Sequence, residues 1–195
     1  MGKLKITAAA FMILLGMAAC SPDKEKMVNE GDKNNPSVEK IKAKSEEEPK
    51  NNKQLTEKGG LGDTRKTLEK IYGENKGDVE IARFQDDFLI VTFEDHRAVN
   101  VQLQYEAKGD ERPSEEEVLS DIKERIPKDA LEVDRYKEEK DSIQEIIEYE
   151  SDLLKEEASE YSFRDDEAGT FSVTLERDDQ GIVLATLALG RGSIE

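Results

Sequence analysis

The chain of 195 residues carries 29 basic and 46 acidic side chains, a formal charge of −17, with one His, one Cys and no Trp. A single Cys excludes an internal disulfide and a Cys-rich zinc site, and a single His excludes metal centres built on two or more imidazoles. The length suits one domain or two small ones, far below a two-lobed solute-binding protein or a barrel enzyme.

Residues 1–19 read as an export signal, with Lys3 and Lys5 before an apolar run from Ile6 to Leu15 that only Thr7 interrupts. That run is too short for a bilayer span, which takes roughly 20 apolar residues. It ends in Gly16-Met17-Ala18-Ala19-Cys20. This resembles the lipobox of bacterial lipoproteins: an aliphatic residue, two small residues and a Cys that is lipidated and becomes the new N-terminus. Met17 departs from the usual Leu. The resemblance implies that Cys20 is lipidated and that the protein sits on the extracytoplasmic face of the cell membrane; two or three acyl chains make such anchorage stable. Ordinary signal cleavage is the alternative. A cut just before Cys20 would put bulky Met17 where a small residue is needed, whereas a cut before Ala19 would leave a free thiol.

After Cys20 the composition shifts. Six of the 38 residues in 21–58 are apolar, nine Lys balance nine acids, and so little apolar surface cannot offset chain entropy. A disordered linker over 20–58 is expected, reaching roughly 35 Å as a coil. With the signal at +2 and the linker neutral, residues 59–195 carry −19. Those 137 residues include 48 apolar ones, enough for one independently folding domain.

Within it, Asp63 or Thr64 can cap a helix with Leu68, Ile71 and Tyr72 on one face and Gly73 as its stop. Strands are expected over Val79 to Phe84, Phe88 to Phe93 and Arg97 to Tyr105, joined by short polar hairpin turns. In the third, Val99, Val101, Leu103 and Tyr105 alternate with Asn100, Gln102 and Gln104, so one face is buried and the other meets water or a partner. Ser114 and Glu117 form a capping box for a helix whose stripe is Val118, Leu119, Ile122 and Ile126, and Pro127 ends it. Leu131, Val133 and Tyr136 suggest a strand. Ile143 to Leu154 fits one helical face, yet reads better as a strand followed by a short helix from Ser151. Phe171, Val173 and Leu175 alternate, a turn follows at 178–181, and Ile182 to Leu189 is apolar on both faces, as in the middle of a sheet.

This order predicts an α+β domain with helices packed on one face of an antiparallel sheet, and a helix-plus-meander unit can occur twice, near 63–105 and 114–190. Gly62-Asp63-Thr64, Gly73 nine residues after Thr64, and strands ending in Phe93-Glu94-Asp95 resemble uncharacterised lipoproteins of Gram-positive bacteria. More distantly, the segment is similar to the helix-then-sheet modules of BamE and beta-lactamase inhibitory protein. Those families place Pro after the second Gly, where this chain has Glu74-Asn75. The resemblance implies a protein-binding scaffold and carries over no catalytic residue.

Chemistry is sparse. His96 sits between two strands beside Asp95 and Arg97, a turn position, and no G-x-S-x-G elbow accompanies it. Gly59-Gly60-Leu61-Gly62 before a helix looks like a phosphate cradle, but it lacks Gly-Lys-Ser/Thr and adds Asp63, so a flexible hinge with a helix cap is the better reading. Acidic pairs at 86–87, 94–95, 165–167 and 178–179 could serve as acid and base or bind calcium, although none follows EF-hand spacing. The charge disfavours nucleic acid. No cofactor, metal ligand or catalytic residue is assigned. Arg97, Asn100, Gln102 and Gln104 form the candidate partner-facing strand. The sequence thus predicts a lipid-anchored, non-enzymatic binding module for a protein or cationic peptide, with an envelope hydrolase or calcium-binding protein as the alternative.

Overall fold

The computed structural model describes residues 52–108, 112–139 and 143–192. The export signal, Cys20 and the linker as far as residue 51 lie outside the described residues.

Helix α1 (Arg65–Tyr72) begins at Thr64, whose hydroxyl accepts the Thr67 amide, and stops at Gly73, where φ is 91°. Its Leu68 is buried, but Ile71 lies at the edge of the core and is exposed. Three antiparallel strands follow: β1 (Ile81–Phe84), β2 (Leu89–Glu94) and β3 (Arg97–Gln104). Asp95 and His96 both have positive φ in the two-residue β2–β3 turn, the geometry whose twist matches a hairpin. Helix α2 (Glu115–Lys123) opens on the Ser114 and Glu117 capping box. Then come β4 (Leu131–Glu139), β5 (Ile143–Glu150), the six-residue helix α3 (Asp152–Glu157) capped by Ser151, and the hairpin of β6 (Thr170–Asp178) and β7 (Gly181–Leu189). The strand-then-helix reading of Ile143 to Leu154 is therefore the one the chain adopts.

All seven strands join one antiparallel sheet in the order β1-β2-β3-β7-β6-β5-β4, which makes this an α+β fold. Two meanders meet where β3 pairs with β7, so the β6–β7 hairpin is central, in keeping with the two-sided apolar pattern of Ile182 to Leu189. The register sets apolar rows across the sheet. Ala82, Val91, Val101, Leu187, Val173 and Ile147 are successive neighbours on six strands, and all six are fully buried. Leu68 of α1, Val118 and Ile122 of α2 and Leu154 of α3 share that core, so the helices cover this face.

Two expectations about the domain's start are corrected. The fold does not begin at residue 59: Leu55 and Thr56 are fully buried, and the Lys128 amide donates to the Leu55 carbonyl. Composition hid this because one apolar residue with a matching cavity is enough to fix a polar segment. Nor is Gly59 to Gly62 a flexible hinge. The Lys58, Leu61 and Gly62 amides donate to Glu124, Arg125 and Ala98 carbonyls, tying the segment between α2 and β3.

Candidate functional site

Among the described residues the helices share the core on one face of the sheet, and the residues of the second face follow from the same register. Ile90, Gln102, Thr186 and Thr174 form one cross-strand row on β2, β3, β7 and β6. Thr92, Asn100, Ala188 and Ser172 form the next, and Gln104, Leu184 and Glu176 a third. All but Ser172 are half-buried. Among these eleven positions Glu176 is the one charge, whereas the chain's 38% charged composition would put about four there. Charge depletion of this kind marks the central part of protein–protein contacts.

Asn100, Gln102 and Gln104 therefore lie on this open face, with the Gln104 amide donating to Gln102 at 3.3 Å. Arg97 does not belong with them, which corrects the candidate strand. The β2–β3 register slips between Thr92 and Phe93, leaving Val99 half-buried and without a partner, so the simple alternation ends there. Arg97 is 4% exposed, and its guanidinium donates to the carbonyls of Gly62 and Lys53 and pairs with Glu157 of α3 at 2.6 Å. Burial lowers its pKa, and Glu157 and Asp63 oppose that.

Beyond β6 the open face turns acidic, with Glu148 and Glu150 on β5 and Asp134 on β4. The segment after β7 folds onto this end. Arg191 pairs with Glu148 at 2.9 Å and with Glu150 at 3.7 Å, while the Tyr136 hydroxyl donates to the Gly192 carbonyl at 3.2 Å. Gly192 lies so close that a Cβ there would be 2.7 Å from the Ile146 methyl, and a Cβ on Gly190 would be 2.6 Å from the Asp166 carboxylate, which accepts the Arg191 amide.

The other sequence candidates sit apart. The Gly-rich loop is no anion cradle, because its own Asp63 fills that role: the carboxylate is fully buried and accepts the Leu55 and Gly60 amides at 2.6 and 3.0 Å and the Thr56 hydroxyl. Burial raises the Asp63 pKa, and these donors pull it back in part. Asp86 pairs with Lys76 and Asp87 with Arg83 at the β1–β2 turn, and Asp178 pairs with Arg112 at the start of the β6–β7 turn. Among the described residues no three His, Cys, Asp or Glu side chains gather as a metal site, and no helix is long and apolar enough to cross a membrane.

One cluster is not evident from the sequence pattern. Glu145 lies on the helix-covered face, 3% exposed, against Arg177 at 2.7 Å, Arg135 at 3.1 Å and Lys137 at 3.9 Å, and Arg177 continues to Glu115 on α2. Burial pushes its pKa up, but the Arg177 hydrogen bond and charge, then Arg135 and Lys137, outweigh this and hold it below 4.5. A glutamate within an apolar strand pattern was the available signal.

An α+β scaffold with helices on one side and a charge-poor strip on the other is thus the class the fold defines. No protein-family model, curated protein or solved structure matches the chain.

Proposed function

We propose that this is a lipid-anchored, extracytoplasmic binding module that takes a protein or peptide on the open face of its sheet and performs no catalysis. The observation that supports it is the charge-poor strip over β2, β3, β7 and β6, with Glu176 its one charge, in a chain that is otherwise densely acidic. A partner covering this strip desolvates amides, hydroxyls and small apolar groups, which costs far less than stripping water from carboxylates. The acids beyond β6 select a partner whose rim is basic and repel nucleic acid and anionic lipid.

The reading is tested in cells that carry the full chain with a photo-crosslinking residue in place of Gln102 or, as control, of Lys70 on α1. A discrete crosslinked species is expected from position 102 alone, and Thr186→Arg, which puts a charge mid-strip, abolishes it. Equal crosslinking from both positions, or none from position 102, refutes the docking face. The anchor is tested apart from this. Cys20→Ala should move the protein out of the membrane fraction, and retention there would refute lipidation.

A further inference from the structure

Glu148 sits where the charge-poor strip ends, and a partner lying across the strip would close over it. A carboxylate shut away from water needs a cation and hydrogen-bond donors. In the free protein Arg191 supplies the cation: its guanidinium meets Glu148 and Glu150 while Glu148 is 8% exposed. The fit extends to the neighbours of that arginine, since Gly192 packs flat on Ile146 and under the Tyr136 hydroxyl where a side chain would collide. The seat therefore reads an arginine followed by a residue without a side chain. Its present occupant is weakly held, because the Arg191 side chain is itself 43% exposed and ion pairs open to water contribute little.

We infer that the surface formed by Glu148, Glu150, Tyr136 and Ile146 is a guanidinium-binding site, filled in the free protein by Arg191 and taken over in the complex by an arginine of the partner, flanked by small residues. The inference rests on the open face being the docking surface. It adds the partner's chemistry: an exposed arginine on an extended segment, matched to Asp134, Glu148 and Glu150, whose summed charge Arg191 alone does not balance. Arginine is favoured over lysine because its planar fork can bridge two carboxylates at once.

The test uses the full chain, wild type and Arg191→Ser, titrated with the peptide acetyl-Gly-Arg-Gly-Ser-amide and followed by NMR shifts at Tyr136, Ile146 and Glu148. Emptying the seat by Arg191→Ser leaves every strand intact. Saturable shifts confined to this end of the face are expected in Arg191→Ser. In the wild type, where the chain's own arginine competes, affinity should be about tenfold weaker. Adding Glu148→Gln to Arg191→Ser should abolish the response. Equal affinity in both chains, a lysine peptide that saturates as well as the arginine one, or shifts spread over all acidic surfaces would overturn the site. If the peptide binds as expected but Thr186→Arg leaves crosslinking from position 102 intact, the strip fails and the seat stands. If Thr186→Arg abolishes capture while the peptide does not discriminate, the seat fails and the strip stands.

Discussion

At Gly60 the backbone leaves no room for a side chain, because a Cβ there would fall 2.1 Å from the Arg125 carbonyl oxygen and 2.7 Å from its Cα. Neither contact is the movable end of a side chain. Gly60→Ala must therefore push the loop away from the turn after α2, and it breaks the bond from the Leu61 amide to Arg125. We expect it to lower stability by about 3 kcal/mol in urea unfolding; a change within error would show that the loop yields freely. The sequence could not reveal this, since Arg125 lies 65 positions away and a glycine-rich stretch looks the same whether loose or tightly packed. Asp63 was half-legible. Its place before the helix suggested a cap, whereas Thr64 caps and Asp63 turns back to hold Leu55, Thr56 and Gly60.

At the scale of elements, local chemistry predicted the helices and hairpins well, because caps, turns and alternation act over a few residues. It failed where a distant partner decides, as at Arg97 and at the segment before residue 59. That segment gives a clean prediction. A chain beginning at Asn52 should unfold cooperatively, and one beginning at Gly59 should be less stable by at least about 3 kcal/mol, from exposing the site of Leu55 and leaving Asp63 short of donors. Equal denaturant midpoints would return the boundary to residue 59. The Glu145 cluster ties β4, β5 and β6 to α2 and makes a prediction in pH. A carboxyl held below its unfolded value adds stability that is complete above about pH 4.5 and is lost as pH falls through its folded value. Glu145→Gln should then cost about 2 kcal/mol at pH 7 and much less near pH 3. A cost independent of pH would mean that packing, not charge, accounts for the residue. Asp63 pulls the other way, since a raised carboxyl favours the fold most at low pH.

Over the whole molecule the decisive quantity is the charge of −19 on residues 59–195. The core rows, which net charge does not touch, run unbroken over six strands, so repulsion is carried by the surface. Many surface cations are already paired, as Lys76 with Asp86 and Arg83 with Asp87, and such exposed pairs contribute about 0–1 kcal/mol each. Salt screens attraction and repulsion alike, so the sign of its effect reports which sum is larger. With acids far outnumbering cations, repulsion is the larger sum. Raising sodium chloride from about 0.01 M to about 0.5 M should raise the melting temperature by a few degrees, on the order of 1 kcal/mol for a domain of this size. Sodium sulfate strengthens hydrophobic burial as well, so the chloride series is the one that isolates charge. Calorimetry at matched pH decides it, and a fall in melting temperature would mean that the ion pairs outweigh the excess of carboxylates. The same repulsion bears on placement, because a domain of this charge beside anionic headgroups is pushed outward by the field that screening weakens. Under the proposed anchor at Cys20, the distance between the domain and a lipid surface should then shrink as salt rises, which neutron reflectometry at low and high salt checks.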